Sequence, residues 1–105
     1  MKKIFLLLIL TSCSKDKVIE IPESGCIDTI SYSTTILPMM STYCFDCHDN
    51  TSPILTDYSS ISSSADKILK SIKGESKLMP DGGPKLNDSL IDQFSCWILQ
   101  GKQNN

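Results

Sequence analysis

The chain has 105 residues, with ten lysines and no arginine against twelve acidic side chains, for a net charge of −2. That length gives room for one domain with a small core. A weakly acidic surface without arginine argues against nucleic acid as a partner, because phosphate binding needs clustered cations, and it suits a protein partner with a basic docking face.

Met1-Lys2-Lys3 is a basic start, Ile4 to Leu10 is an unbroken apolar run, and Thr11-Ser12 supplies small residues before Cys13. This is the layout of a secretory signal over residues 1–12. The run is too short to span a bilayer, which takes roughly 20 residues. Leu10-Thr11-Ser12-Cys13 resembles the lipobox of bacterial lipoproteins. The resemblance implies that Cys13 becomes the mature N-terminus and holds the protein to a membrane by acyl chains alone. An ordinary signal cleaved nearby would instead leave Cys13 as a spare thiol, a liability in an exported protein. Loss of Lys2 and Lys3 with the signal takes the net charge from −2 to −4.

Residues 13–25 mix lysine, acid, serine and proline without an apolar period. They read as a flexible tether, reaching on the order of 20 Å. The domain proper is expected over residues 26–105, opened by Cys26 and Ile27.

Tyr32 to Cys44 is predicted to be the first helix, with Ser33, Thr34 or Thr35 as its cap and Pro38 in its first turn. Asp57 to Ser64 is serine-rich and is read as a short helical turn plus loop. Ala65 to Lys73 is a firmer helix, with Ser64 to cap it, Ile68, Leu69 and Ile72 as an apolar stripe, and Gly74 to stop it. Glu75 to Lys85 carries two prolines and two glycines and is a loop, with Met79 in its middle. Asn87 to Gln100 is the strongest helix, with Leu90, Ile91, Phe94, Trp97 and Ile98 on one face and Gly101 at its end. No segment alternates like a strand, so the fold is expected to be all-α.

Between the first helix and the serine-rich segment lies Cys44-Phe45-Asp46-Cys47-His48, which holds the only histidine of the chain. C-x-x-C-H is the pattern of c-type haem attachment. The two thiols form thioethers with the haem vinyl groups, their spacing puts both sulfurs along one edge of the ring, and the adjacent imidazole is carried beneath the iron. Three other readings compete. A thioredoxin-like redox pair sits between a strand and a helix, and no strand precedes Cys44. A zinc site would use Cys44, Cys47 and His48 and would need a fourth ligand from Cys26, Cys96 or a carboxylate. The spacing can also be coincidental.

Over roughly Cys26 to Asn105 the chain resembles the small mono-haem cytochromes c of class I. The matching features are the C-x-x-C-H motif after a first helix, Pro53-Ile54-Leu55 shortly beyond, Met79-Pro80 in a late loop, and a C-terminal helix with Phe94 and Trp97. The resemblance implies three to four helices wrapped around one covalently attached haem c. It implies that Cys44 and Cys47 bear the haem, that His48 is the proximal ligand and Met79 the distal one, and that the Pro53 carbonyl accepts the second ring N–H of His48. Only four residues separate Pro53 from His48.

Apart from the family, the lone histidine excludes bis-histidine ligation. The soft neutral donors left after signal removal are Met39, Met40 and Met79. Met39 and Met40 lie in the helix that leads into Cys44, where packing is their natural role. Met79, on a loop far along the chain, is free to come over the other face of a haem. The gap of 31 residues from His48 is shorter than in many class I members. In the competing view, Met79 is only a loop residue and the iron is five-coordinate or water-bound.

With Cys13 assigned to lipid and Cys44 and Cys47 to haem, Cys26 and Cys96 remain, an even remainder that suggests a disulfide in an exported protein. On a helical wheel Cys96 falls with Leu99 on the back of the last helix. The expectation is that the segment with Cys26 and Ile27 crosses that back and is stapled there. Such a bond would stabilise the domain by roughly 4 kcal/mol in the chain-entropy model.

Three functions follow. The first is a lipid-anchored electron carrier in the bacterial cell envelope, not a catalyst, exchanging electrons with redox proteins or within a respiratory complex. The second keeps the haem but makes it a ligand-binding or sensing module with a labile sixth ligand. The third is a structural lipoprotein built on zinc or disulfides.

Overall fold

A computed structural model describes residues 21–22 and 25–105. The expected signal sequence over residues 1–12, the expected lipidation site Cys13 and most of the expected tether lie outside the described residues. Those described are all helical in their regular structure, with no strand. No helix among them is long and apolar enough to cross a membrane.

The chain enters the first helical segment through a π-helical turn, Tyr32–Ile36, which continues into α1, Leu37–Tyr43. Pro38 explains the wide turn. It has no N–H to give, and its ring crowds the carbonyl four residues back, so the preceding turn opens until the Ile36 and Leu37 N–H groups bond five residues back, to Ser31 and Tyr32. The cap is Ser31, not the expected Ser33, Thr34 or Thr35; its side chain accepts from the Thr34 N–H at 3.3 Å. Two further N–H groups of that first turn reach across the molecule. Tyr32 N–H donates to the Asn105 side-chain oxygen at 2.8 Å, and Ser33 N–H to the Asn105 main-chain oxygen at 2.9 Å. The end of the chain thus closes the start of the first helical segment.

Cys44, with φ −124°, breaks the run, and α2, Phe45–His48, is a single turn made of the C-x-x-C-H residues themselves. The serine-rich stretch forms a complete short helix, α3, Tyr58–Ser63, because the Asp57 side chain accepts from the Ser60 N–H at 2.8 Å and caps it. Ser64, outside helical geometry, separates it from α4, Ala65–Lys73. The last helix, α5, Asp88–Leu99, is capped by the Asn87 side chain, which accepts from the Leu90 N–H at 3.0 Å. Interruptions at Cys44 and Ser64 therefore make five α-helices among the described residues, where three or four were expected.

The core gathers around α5. Trp97, Phe94, Ile36, Met40 and Ile61 are fully buried. Trp97 centres an aromatic cluster, with Phe94 at 5.6 Å, Tyr32 at 5.9 Å and Tyr58 at 6.4 Å between ring centroids. Its indole N–H donates to the Gln103 carbonyl at 3.0 Å, so this large ring is buried without an unmet donor. Burying it is worth about 3 kcal/mol.

The back of α5 is covered by the segment before the π turn. Cys26 and Cys96 form a disulfide, with their Cα atoms 5.4 Å apart. Gln100 pins the same segment from both ends of its amide: its oxygen accepts from the Ile30 N–H and its nitrogen donates to the Asp28 carbonyl, each at 2.8 Å. Ile27 does not join this contact, being 89% exposed, whereas Cys96 is buried. The segment crosses the helix with Cys26 and Ile30 turned in and Ile27 turned out.

Candidate functional site

The site is built on the turn of α2 and the face of α4. In α2 the helical spacing carries Cys44, Cys47 and His48 within one turn, since residues three and four apart share a face. The Cys44 and Cys47 thiols are free, Cys44 half-buried and Cys47 exposed. Burial pushes the Cys44 thiol up to about 11, with the neighbouring Cys47 adding to the effect.

His48 is oriented by the loop that follows it. Its Nδ1 lies 2.9 Å from the Pro53 carbonyl oxygen and 3.4 Å from that of Thr51. A carbonyl only accepts, so Nδ1 carries the proton and Nε2 is left with its lone pair. The Leu55 N–H, donating to the His48 carbonyl at 3.0 Å, closes the loop over only six residues and brings Pro53 back beneath the ring.

Cys44, His48 and Pro53 form one side of a cavity of about 390 Å³. Ser64, Lys67, Ile68, Ser71 and Ile72 of the α4 region and Met79 of the late loop also line it. Met79 is brought there by the way α4 ends. Gly74, at φ +78°, adopts the left-handed conformation, and the Gly74 and Glu75 N–H groups bond back to the Ser71 and Lys70 carbonyls. This reversal folds the loop onto its own helix, where the Met79 N–H donates to the Ser71 carbonyl at 3.2 Å. The Met79 backbone is therefore tied to α4, and its side chain lines the cavity. Met39 and Met40 are buried in the core and do not line the cavity.

Four of the five residues expected at a haem site, Cys44, His48, Pro53 and Met79, thus line one cavity, while Cys47, one turn along α2, is exposed and does not line it. Cys26 and Cys96, two of the candidate fourth ligands of a zinc site, are bonded to each other. Among the described residues no three of histidine, cysteine, aspartate and glutamate converge as a metal cluster requires. What the sequence reading missed is the α4 wall. Ser64, Lys67, Ile68, Ser71 and Ile72 fall at helical spacing on one face, a signal visible in the sequence once the residues flanking the apolar stripe are counted with it.

Comparison with protein-family models, with curated proteins and with solved structures finds no match to this chain.

Proposed function

We propose that this chain is a membrane-anchored c-type cytochrome that carries single electrons on one covalently attached haem. The observation that supports this best is the setting of His48. Its Nδ1 is engaged by the Pro53 carbonyl, it stands on the same turn as two free thiols, and it lines a cavity with the thioether of Met79. The donor chemistry fits the group: two thiols for attachment, an imidazole with a free nitrogen, a soft neutral sulfur, and the apolar side chains Ile68 and Ile72.

In this reading the Cys44 and Cys47 thiols would hold the haem covalently through its vinyl groups, and His48 would hold the iron. Haem supplies a one-electron couple when bound. The Pro53 carbonyl accepts from Nδ1 and fixes the orientation of the His48 ring. Met79 would supply a second protein donor to the iron, and the protein would then serve as an electron carrier and not as an enzyme. Its redox partners would be proteins, and Cys13 would carry the lipid that anchors it in the cell envelope.

The decisive experiment is a pyridine haemochrome spectrum of denatured protein made with haem-attachment machinery present. Haem that stays with the unfolded chain supports the proposal, and its absence refutes it. A near-infrared methionine-to-iron band in the oxidised protein is the expected sign of Met79 ligation. Carbon monoxide binding to the native reduced protein would favour the sensing module instead.

A further inference from the structure

Among the side chains that line the His48 and Met79 cavity, Lys67 alone carries a full charge at neutral pH. Its neighbours on the same face of α4 are the hydroxyls of Ser64 and Ser71, so this wall is polar at its rim and apolar at Ile68 and Ile72. Of the other described lysines, Lys73 pairs with Glu75, Lys77 with Asp81, and the Lys102 ammonium donates to the Ser62 carbonyl, whereas Lys70 and Lys85 have no such partner. Lys67 likewise has no ion-pair or hydrogen-bond partner among the described residues; what sets it apart is that it lines the cavity, from the first turn of α4.

We infer that Lys67 is the positioning residue for an acidic edge of the bound cofactor, pairing with a haem carboxylate. This rests on the haem reading above and extends it to one residue. Haem brings two carboxylates into a site that holds no arginine, and a carboxylate at an apolar wall needs a cation or hydrogen-bond donors. Lys67 supplies the cation, with Ser64 and Ser71 as hydroxyl donors beside it. The pair also acts on the iron. With the lysine present, the negative charge of the carboxylate is neutralised and the ferric state loses part of its electrostatic support, so the midpoint potential is higher than it would be with the carboxylate alone.

The test is spectroelectrochemistry on the full-length holoprotein and three variants. Lys67→Gln removes the charge, Lys67→Arg keeps it, and Lys70→Gln makes the same charge change one position off the cavity on the same helix. The expected result is a lower potential for Lys67→Gln, a value near that of the unaltered protein for Lys67→Arg, and little shift for Lys70→Gln, with the near-infrared methionine band present throughout. Equal shifts for Lys67→Gln and Lys70→Gln, or no shift in either, overturn the inference and leave the haem reading standing. Loss of the methionine band in Lys67→Gln overturns it too, because the lysine would then be acting on ligation. Absence of covalent haem from the unaltered protein overturns both.

Discussion

His48 and Pro53 are joined ring to backbone: Nδ1 of the only histidine donates to the Pro53 carbonyl at 2.9 Å. The bond sets the tautomer and points the free nitrogen away from the loop that holds the ring. Pro53→Gly keeps the carbonyl but loosens the backbone that aims it. The expected outcome is faster exchange of the Nδ1 proton by NMR and a shifted midpoint potential in the holoprotein, because the bond that fixes the ring's orientation is weakened.

Cys44 gives the haem-free chain a pH signature. Its thiol holds its proton more tightly folded than unfolded, with its value raised from 9.0 to about 11. The stabilisation is complete below pH 9.0 and is lost as pH rises towards about 11, where the buried thiolate must form. Urea unfolding across that range should show a falling midpoint, and Cys44→Ala should flatten the fall. Iodoacetamide at neutral pH should modify the exposed Cys47 well before Cys44.

The Cys26–Cys96 disulfide closes a span of 70 residues. Replacing both cysteines by serine should cost about 2 to 4 kcal/mol in chemical unfolding. In the native, non-reduced holoprotein neither of these two cysteines should react with a thiol label. If both react, the bond is absent in solution.

Gly74 is the residue that turns the chain from α4 towards Met79. A side chain there meets no backbone, the nearest atom to an added Cβ being Leu78 Cδ1 at 3.7 Å. The cost of Gly74→Ala is therefore that of the left-handed conformation, about 1 to 2 kcal/mol. Weakening of the near-infrared methionine band in the same variant would link the turn to axial ligation.

Asn105 stabilises a helix more than seventy residues away in sequence. Asn105→Ala removes the acceptor for the Tyr32 N–H. By analogy with a lost helix cap, it should cost about 1 kcal/mol, read as a lower thermal midpoint. Asn105→Asp, which keeps an acceptor at the same place, should restore most of it.

Much of this architecture is written locally. The end of α4 follows from Gly74, and the bounds of α5 from Asn87 and Gly101, because caps and left-handed stops act on their immediate neighbours; Ser64 stands at the start of α4, but its side chain makes no capping hydrogen bond there. The C-x-x-C-H turn was legible because its spacing selects it, whereas Met79 was picked out by the family resemblance and by its place on a late loop. What was not legible depends on distant partners. Ser31 serves as a cap together with Asn105, and no local pattern announces a cap shared between the two ends of a domain. Lys67 reads as an ordinary surface lysine until α2 and the Met79 loop are placed against its helix. The π turn lies between these cases. Pro38 foretells trouble one turn earlier, but whether the helix kinks, starts late or widens is decided by the packing of Ile36 and Met40 beneath it.

The disulfide and the two bonds of Gln100 have a mechanical meaning. Tension applied to the chain ahead of Cys26 passes through a covalent bond into the C-terminal part of α5, and from there into the aromatic cluster around Trp97. It bypasses the α2 turn. The residues that would grip and ligate a cofactor are thus isolated from the load path, so a domain pulled at its leading end would keep its axial geometry until the core itself gave way.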